Sequence, residues 1–200
     1  MRLYITAPSP FARKCRIVVR EKGLQDKVEE LVVDPYADDP ELLKANPAAQ
    51  APALVAENGD VFTDSPLICA YLDSIGDGPR LIPESGDAHW RTRRLETLAD
   101  LALEMGVKLV LEKRRPEHER SPSWMRRWTA NMARTLDILE EWGPDPDAFD
   151  LGVLTTGVAL TWIGFRHPDF DWKSGRGKLV ELQAALEARP SFVATFPRTP

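Results

Sequence analysis

The chain changes its pattern near residue 80, and this change constrains the fold more than any other feature of the sequence. Before it, short apolar runs alternate with helix-like stretches, and Gly or Pro separates them. After about residue 87, apolar residues recur every three or four positions, which is typical of amphipathic helices. The sequence therefore predicts an α/β domain over residues 1–78 and an all-helical domain over residues 87–200. The Gly- and Pro-containing residues 79–86 are the predicted linker.

The first part of the chain predicts the element order βαβ followed by ββα. Strand-like and helix-like stretches alternate through residues 3–6, 11–22, 28–33, 41–45, 53–56, 61–63 and 65–75. Asn58-Gly59, between the third and fourth strands, is a strong hairpin signal. A βαβ unit implies a parallel strand pair, and the hairpin adds antiparallel strands. We therefore expect one small mixed sheet flanked by helices.

The second part predicts a bundle of helices. Apolar residues with helical spacing mark two amphipathic helices, through Leu95–Leu109 and Met125–Leu139. A third helix, Leu151–Phe165, is apolar on all sides, which predicts full burial. A shorter helix covers residues 177–188, before Pro190.

Composition limits the classes of partner. Hydrophobic residues make up 43% and charged residues 28% of the 200 residues, as in a soluble globular protein. The net charge of -5 argues against a nucleic-acid partner. Because no apolar run approaches 18 residues and the N-terminus lacks an apolar signal segment, we expect neither a membrane span nor secretion.

The cysteines and histidines favour a reduced protein without a metal. Cys15 and Cys69 both fall inside predicted helices, which suits an intracellular, cytoplasmic protein better than a disulfide scaffold. We expect Cys15 to be a buried structural residue. The three histidines, at positions 89, 118 and 167, lack metal-ligand spacing.

Ser9 lies at a predicted strand-to-helix turn, directly before a helix-starting proline. A hydroxyl at such a turn lies near backbone N–H groups and the positive end of the helix dipole, where a thiolate or another anion can be held. The simpler interpretation is that Ser9 only caps the helix, with Pro10 at the first helical position. Taken alone, Ser9 fits both interpretations.

Two further segments could bind parts of a ligand. In Gln50-Ala51-Pro52, a proline directly precedes an apolar strand, and a cis bond there would leave the backbone N–H and C=O of Ala51 free. In Asp64-Ser65, a carboxylate and a hydroxyl precede another helix. Exposed amides there would receive a ligand carboxylate, and Asp64 would receive an ammonium group. As an ordinary capping pair, Asp64 and Ser65 would need no ligand.

Together these motifs resemble a known family. S-P-F near residue 10, N-P-x-x-Q-A-P-x-L near 50 and D-S-x-x-I near 65 follow one another as in cytosolic-type glutathione transferases. The resemblance covers essentially the whole chain, and residues 164–172 are similar to a segment of bacterial members. It implies a thioredoxin-like first domain with Pro52 as its cis-proline. It also implies a helical domain on the second-substrate side and a homodimer.

The resemblance also implies a role for each site residue, with glutathione as the cosubstrate and no metal. Ser9 would donate a hydrogen bond to the glutathione sulfur and lower the pKa of its thiol, and Thr6 is the alternative hydroxyl. Ala51, beside Pro52, would pair with the cysteinyl backbone, and Gln50 would contact the glycyl end. Ser65 would bind the γ-glutamyl carboxylate, and Asp64 would bind its amino group. Phe11 would form a wall of the pocket.

The implied activity is attack of the activated glutathione on a small electrophile, as in detoxification. The alternatives are a binding or regulatory protein of the same fold, and a glutathione-dependent reductase, isomerase or dehalogenase. Ser9 in place of Cys disfavours chemistry that needs a mixed disulfide. One departure from the family is Val153, where many members have an Asp that completes a capping box with the residue at 150. The sequence does not identify the electrophile.

Overall fold

The computed structural model describes residues 1–198, which divide into two units. The N-terminal unit comprises Met1–Ile82 together with the described residues from Arg189 onward, and the helical unit comprises Pro83–Ala188. The sequence predicts residues 87–200 as one helical domain, whereas the structure groups residues 189–198 with the N-terminal unit. Residues 199–200, at the end of the predicted domain, lie outside the described residues.

The N-terminal unit contains the expected four-stranded mixed sheet, in the order β2-β1-β3-β4. The strands are β1 (Arg2–Ile5), β2 (Glu29–Val32), β3 (Ala53–Val55) and β4 (Val61–Thr63). β1 pairs with β2 in parallel, and β3 is antiparallel to both β1 and β4. Gly59 has a φ of 88° in the turn between β3 and β4, which explains why Asn-Gly occurs there. The predicted βαβ-ββα order is confirmed.

Helices account for most of the remaining described residues. They are α1 (Pro10–Glu21), α2 (Pro40–Ala45), α3 (Ser65–Ile75), α4 (Gly86–Arg114), α5 (Pro122–Trp142), α6 (Leu151–Arg166), α7 (Gly177–Glu187) and α8 (Pro190–Ala194). Five of them, α1, α2, α3, α5 and α8, have a proline in the first turn, where its missing N–H costs no hydrogen bond.

Side chains of β1 and β3 alternate between two buried faces of the sheet. Tyr4 and Ala53, which are paired in register, pack with Leu42 of α2. Leu3 and Leu54, the next pair, point to the opposite face and are fully buried. The central strands are therefore covered on both sides, and only their ends remain for a ligand.

Helix α8 was not predicted, and polar contacts explain its position in the N-terminal unit. The carboxylate of Glu21, at the end of α1, accepts hydrogen bonds from Arg189 at 2.8 Å and from the Ser191 hydroxyl at 2.5 Å. Arg13 of α1 donates to the carbonyl of Phe192 at 3.2 Å, and its guanidinium lies 5.2 Å from the Phe192 ring. A five-residue helix is too short to show a hydrophobic period, so the sequence pattern did not reveal it.

Helix α6 forms the core of the helical unit, as its uniformly apolar sequence predicts. Every residue from Leu151 to Ile163 is buried. Gly152 allows α4 to approach closely, since a Cβ there would lie 2.6 Å from the carbonyl oxygen of Thr92. Asp150 caps α6: one carboxylate oxygen accepts the N–H of Val153 at 2.9 Å, and the other accepts the hydroxyl of Thr92 at 2.6 Å. Thr92 of α4 thus holds the capping carboxylate in place, a contact different from the reciprocal bond of a capping box.

Candidate functional site

The topology of the sheet brings the three sequence motifs to one edge. Tyr4 of β1 is in register with Ala53 of β3, and Ala53 is in register with Thr63 of β4. The chain leaves β1 and β4 at this edge and enters β3 there. The segments that contain Ser9, Ala51 and Asp64 therefore flank the same sheet edge, although they are far apart in sequence.

Ser9 caps α1 and keeps a donor for another group. Its Oγ accepts the backbone N–H of Ala12 at 3.2 Å, while its own N–H donates to the carbonyl of Thr6 at 3.2 Å. A hydroxyl that accepts one hydrogen bond can still donate its proton. Within residues 1–198 the Ser9 hydroxyl proton has no acceptor. The capping role and the proposed functional role are therefore compatible.

The loop before β3 presents the backbone of Ala51. The Ala51–Pro52 bond is cis, as the family resemblance implies. Neither the N–H nor the C=O of Ala51 has a hydrogen-bond partner in the described part of the chain. Pro52 is buried and Ala51 half-buried, whereas Gln50 is exposed. Ala51 can thus pair with an extended peptide placed alongside it.

Asn46 holds this loop in place, a role that the sequence interpretation missed. Its side-chain amide donates to the carbonyl of Gln50 at 2.8 Å, and its Oδ1 accepts the N–H of Ala48 at 3.0 Å. In the sequence, Asn46-Pro47 indicated only the end of α2. The signal was available, because an Asn in a turn commonly accepts a hydrogen bond from the backbone two residues on.

The start of α3 has an unusual backbone and an unsatisfied hydroxyl. Asp64 adopts a φ of 72°, which is strained for a residue with a side chain, and its carboxylate makes no capping bond. Ser65 is only 1% exposed, and its Oγ has no hydrogen-bond partner within residues 1–198. Buried polar atoms are nearly always satisfied in proteins, so this hydroxyl is a candidate contact for a ligand group.

Two buried cysteines lie next to Ser65, between α1 and α3. The thiol of Cys15 on α1 lies 3.9 Å from the carbonyl of Ser65 and 3.8 Å from the thiol of Cys69 on α3. Both thiols are free and fully buried, as expected for Cys15. This contact fixes α3 against α1, so the helices that begin at Ser9 and Ser65 are packed together. Phe11, in the first turn of α1, is half-buried, as a pocket wall would be.

Other kinds of site are not found in the part that the structure describes. No three His, Cys, Asp or Glu side chains among residues 1–198 are grouped closely enough to hold a metal ion. Over the same residues, none of the helices combines the length and the apolar character that a membrane span requires.

Comparison with known proteins identifies the family. A sequence profile for the glutathione S-transferase N-terminal domain matches residues 8–75. Over 202 residues the chain is 32% identical to the "Uncharacterized GST-like protein YibF" of Escherichia coli (strain K12), which covers 98% of each chain. The chain belongs to the glutathione transferase family.

Solved structures of this family agree over the whole length. A family member from Pseudomonas fluorescens Pf-5 with bound glutathione superposes with a TM-score of 0.94 at 32% identity, covering 99% of each chain. Another structure of a family member from the same organism holds S-(propanoic acid)-glutathione, with a TM-score of 0.90 at 30% identity and full coverage of both chains. The thioredoxin-like domain followed by a helical region is therefore the fold of this chain, as the sequence predicts.

Proposed function

We propose that this protein is a glutathione transferase that binds glutathione at the sheet edge formed by Ser9, Ala51 and Ser65. It activates the thiol for attack on a small electrophile. Support comes from the family, from the bound glutathione in the related Pseudomonas structure, and from the geometry of the edge.

The unsatisfied Oγ of Ser65 is the observation that carries the proposal. Leaving a buried hydroxyl without a partner costs about 1–3 kcal/mol, and a ligand carboxylate would satisfy it. The N-terminal N–H groups of the 11-residue α3 favour a negative charge at the same place. Asp64, exposed beside them, suits an ammonium group. An α-amino acid such as the γ-glutamyl moiety carries both groups on one carbon.

The remaining residues suit the rest of the tripeptide. Ala51 pairs with the cysteinyl backbone through its free N–H and C=O, Gln50 is exposed for the glycyl end, and Phe11 forms an apolar wall. The Ser9 hydroxyl donates its free proton to the sulfur. A charge-assisted hydrogen bond is worth about 1.5–3 kcal/mol, which lowers the pKa of a thiol from about 8.5 by roughly one to two units.

The reaction then requires little more from the protein. The thiol proton leaves to solvent, and Ser9 stabilises the negative sulfur. The sulfur bonds to an electrophilic carbon while that carbon loses a leaving group such as chloride, or, with an unsaturated acid such as acrylate, while the carbon–carbon π bond breaks and the neighbouring carbon takes a proton from water. A thioether of glutathione, such as the one bound by the Pseudomonas relative, is the type of product that this chemistry makes.

Calorimetry with glutathione tests the binding step. We expect the wild-type chain to bind glutathione and Ser65→Ala to bind it about 10- to 100-fold more weakly, because a bond to a charged group is lost. Ser74→Ala is the matched control, since Ser74 lies on the same helix and donates to its own helix at the Tyr71 carbonyl. Equal affinity of the wild type and Ser65→Ala would contradict the proposal.

Turnover tests the alternatives. Loss of glutathione and formation of a stable thioether from 1-chloro-2,4-dinitrobenzene or acrylate indicates a transferase. Formation of glutathione disulfide instead indicates a reductase. Glutathione binding without turnover across a panel of electrophiles indicates a binding or regulatory protein of the same fold.

We also propose a homodimer that uses α3 and β4. Leu67, Tyr71 and Ile75 recur every four residues on α3, and Leu67 and Ile75 are exposed. Tyr71 stacks on Phe62 of β4 with ring centroids 4.2 Å apart. An apolar stripe of this kind is typical of an interface. Sedimentation should give a dimer mass that falls to a monomer mass in Leu67→Glu.

We infer that the protein acts in detoxification in the cytoplasm of a bacterium. The free thiols of Cys15 and Cys69 touch at 3.8 Å without a disulfide, which suits a reducing compartment. Of the relatives compared above, both the curated protein and the solved structures come from bacteria.

A further inference from the structure

The helical unit contains a cavity of about 280 Å³ that the proposed glutathione chemistry does not use. It lies between α4, the loop after α5 and the first turn of α6, and all of its lining residues belong to the helical unit. Leu95, Pro144 and Val153 are buried and form an apolar floor. Arg91 and Arg94, one helical turn apart on α4, contribute two positive charges.

Trp142 holds the Arg94 side chain in place, and the guanidinium N–H groups of Arg94 remain available as donors. Its guanidinium carbon lies 4.5 Å from the centroid of the Trp142 ring, which also lines the cavity. A cation–π contact holds the guanidinium without occupying its N–H groups in hydrogen bonds to oxygen. Within residues 1–198 no carboxylate or carbonyl oxygen accepts from Arg94.

Arg91 is held loosely. Its closest carboxylate oxygen, on Asp150, is 3.9 Å away, which is longer than a hydrogen bond. Both oxygens of Asp150 already accept hydrogen bonds, from Val153 and Thr92. The Arg91 side chain is 61% exposed, so it can move toward an anion without leaving a buried carboxylate unpaired.

We propose that this cavity binds a planar aromatic carboxylate. The ring packs on the apolar floor and against Trp142, and the carboxylate accepts from the guanidinium edges of Arg94 and Arg91. A cavity of about 150 Å³ holds benzene, so 280 Å³ accommodates a two-ring compound with its carboxylate. Asp145, also in the lining, reduces the local positive charge and limits the affinity for anions.

Titration calorimetry with 2-naphthoate tests this proposal on the full chain. We expect one site per chain, with 2-naphthamide, the neutral analogue of the same shape, at least 10-fold weaker. Arg94→Gln and Arg91→Gln should each weaken 2-naphthoate binding, the first by 10-fold or more. Arg127→Gln is the matched control, because Arg127 also lies over a tryptophan, Trp124 at 5.8 Å, but outside the cavity. It should leave the affinity unchanged.

Two further variants test the cavity itself. Ala148→Phe fills the space and should abolish binding of 2-naphthoate. Asp145→Asn still accepts the N–H of Asp147 but removes a negative charge from the lining, so it should tighten binding two- to fivefold. Unchanged thermal midpoints establish that the variants are folded. Equal binding of the acid and the amide, or full binding by Ala148→Phe, would overturn the proposal. Saturating glutathione should leave the affinity unchanged, and competition between the two ligands would place 2-naphthoate elsewhere.

Discussion

Two aspartates precede two helices in this protein, and they are used in opposite ways. Asp150, before α6, is 6% exposed, and each of its carboxylate oxygens accepts a hydrogen bond within the protein. Asp64, before α3, is exposed, makes no capping bond and has a strained φ of 72°. The residue after Asp64 adds a buried hydroxyl without a partner in the described chain.

We interpret this difference as one between a structural helix start and the proposed binding one. At α6 both carboxylate oxygens of the capping aspartate accept hydrogen bonds within the protein, so this aspartate contributes stability. At α3 the protein accepts strain and an unsatisfied group, which is characteristic of functional sites. Ser9, before α1, combines the two, because its oxygen caps the helix while its proton stays free. Substitutions at these three positions should therefore affect different measurements.

The largest effect on stability is expected from Asp150→Ala. It removes the N-cap of α6 and the acceptor for the Thr92 hydroxyl, which together cost about 2–3 kcal/mol of unfolding free energy. Urea denaturation measures this loss. Asp147→Ala, an exposed aspartate in the same loop, should change the unfolding free energy by less than about 0.5 kcal/mol. Similar stability of both variants would show that Asp150 is no more structural than its neighbour.

Activity should respond most at Ser9. In Ser9→Ala the thiol of bound glutathione loses its donor, so its pKa rises by roughly one to two units and turnover near pH 6.5 falls about 10- to 100-fold. Ser9→Asp keeps an acceptor for the Ala12 N–H but cannot donate, so it should keep its stability and lose activity. Ser9→Thr keeps both groups and should restore turnover. An active Ser9→Asp would remove Ser9 from the mechanism and make Thr6 the next candidate.

The sequence predicted that α6 begins at Leu151, but it did not reveal the partner of the residue that caps this helix. Ser9, Pro52 and the Asp64-Ser65 pair are contiguous motifs, and their spacing along the chain carried the family resemblance. The hydrogen bond from Thr92 to Asp150 joins residues 58 positions apart, and no local sequence pattern predicts a hydrogen-bond partner so far along the chain. Helix α8 was missed for a related reason, since its anchors, Arg13 and Glu21, lie on α1. Local patterns reveal elements and motifs, whereas cross-chain contacts require the fold.

Asp64→Gly should separate strain from binding. Glycine adopts positive φ without strain, so the unfolding free energy should stay the same or rise by up to about 1 kcal/mol. Glutathione affinity should fall, because the carboxylate opposite the ammonium group is lost. Asp64→Asn retains a side chain at the strained position and should lower affinity without the gain in stability. Denaturation and calorimetry on both variants measure the two effects, and an Asp64→Gly variant with full affinity would exclude Asp64 from the site.

The smallest loss of stability is expected from Ser65→Ala, although Ser65 is among the most buried polar residues. Burial normally makes a polar substitution costly because a partner is left unsatisfied. The Oγ of Ser65 has no partner to lose within residues 1–198, so its removal should not lower the unfolding free energy and should raise it by up to about 1–3 kcal/mol, the cost of the unsatisfied hydroxyl. Urea denaturation in the absence of glutathione measures this directly. A loss above about 1 kcal/mol would mean that Ser65 is a structural residue like Asp150, and α3 would then lose its distinction from α6.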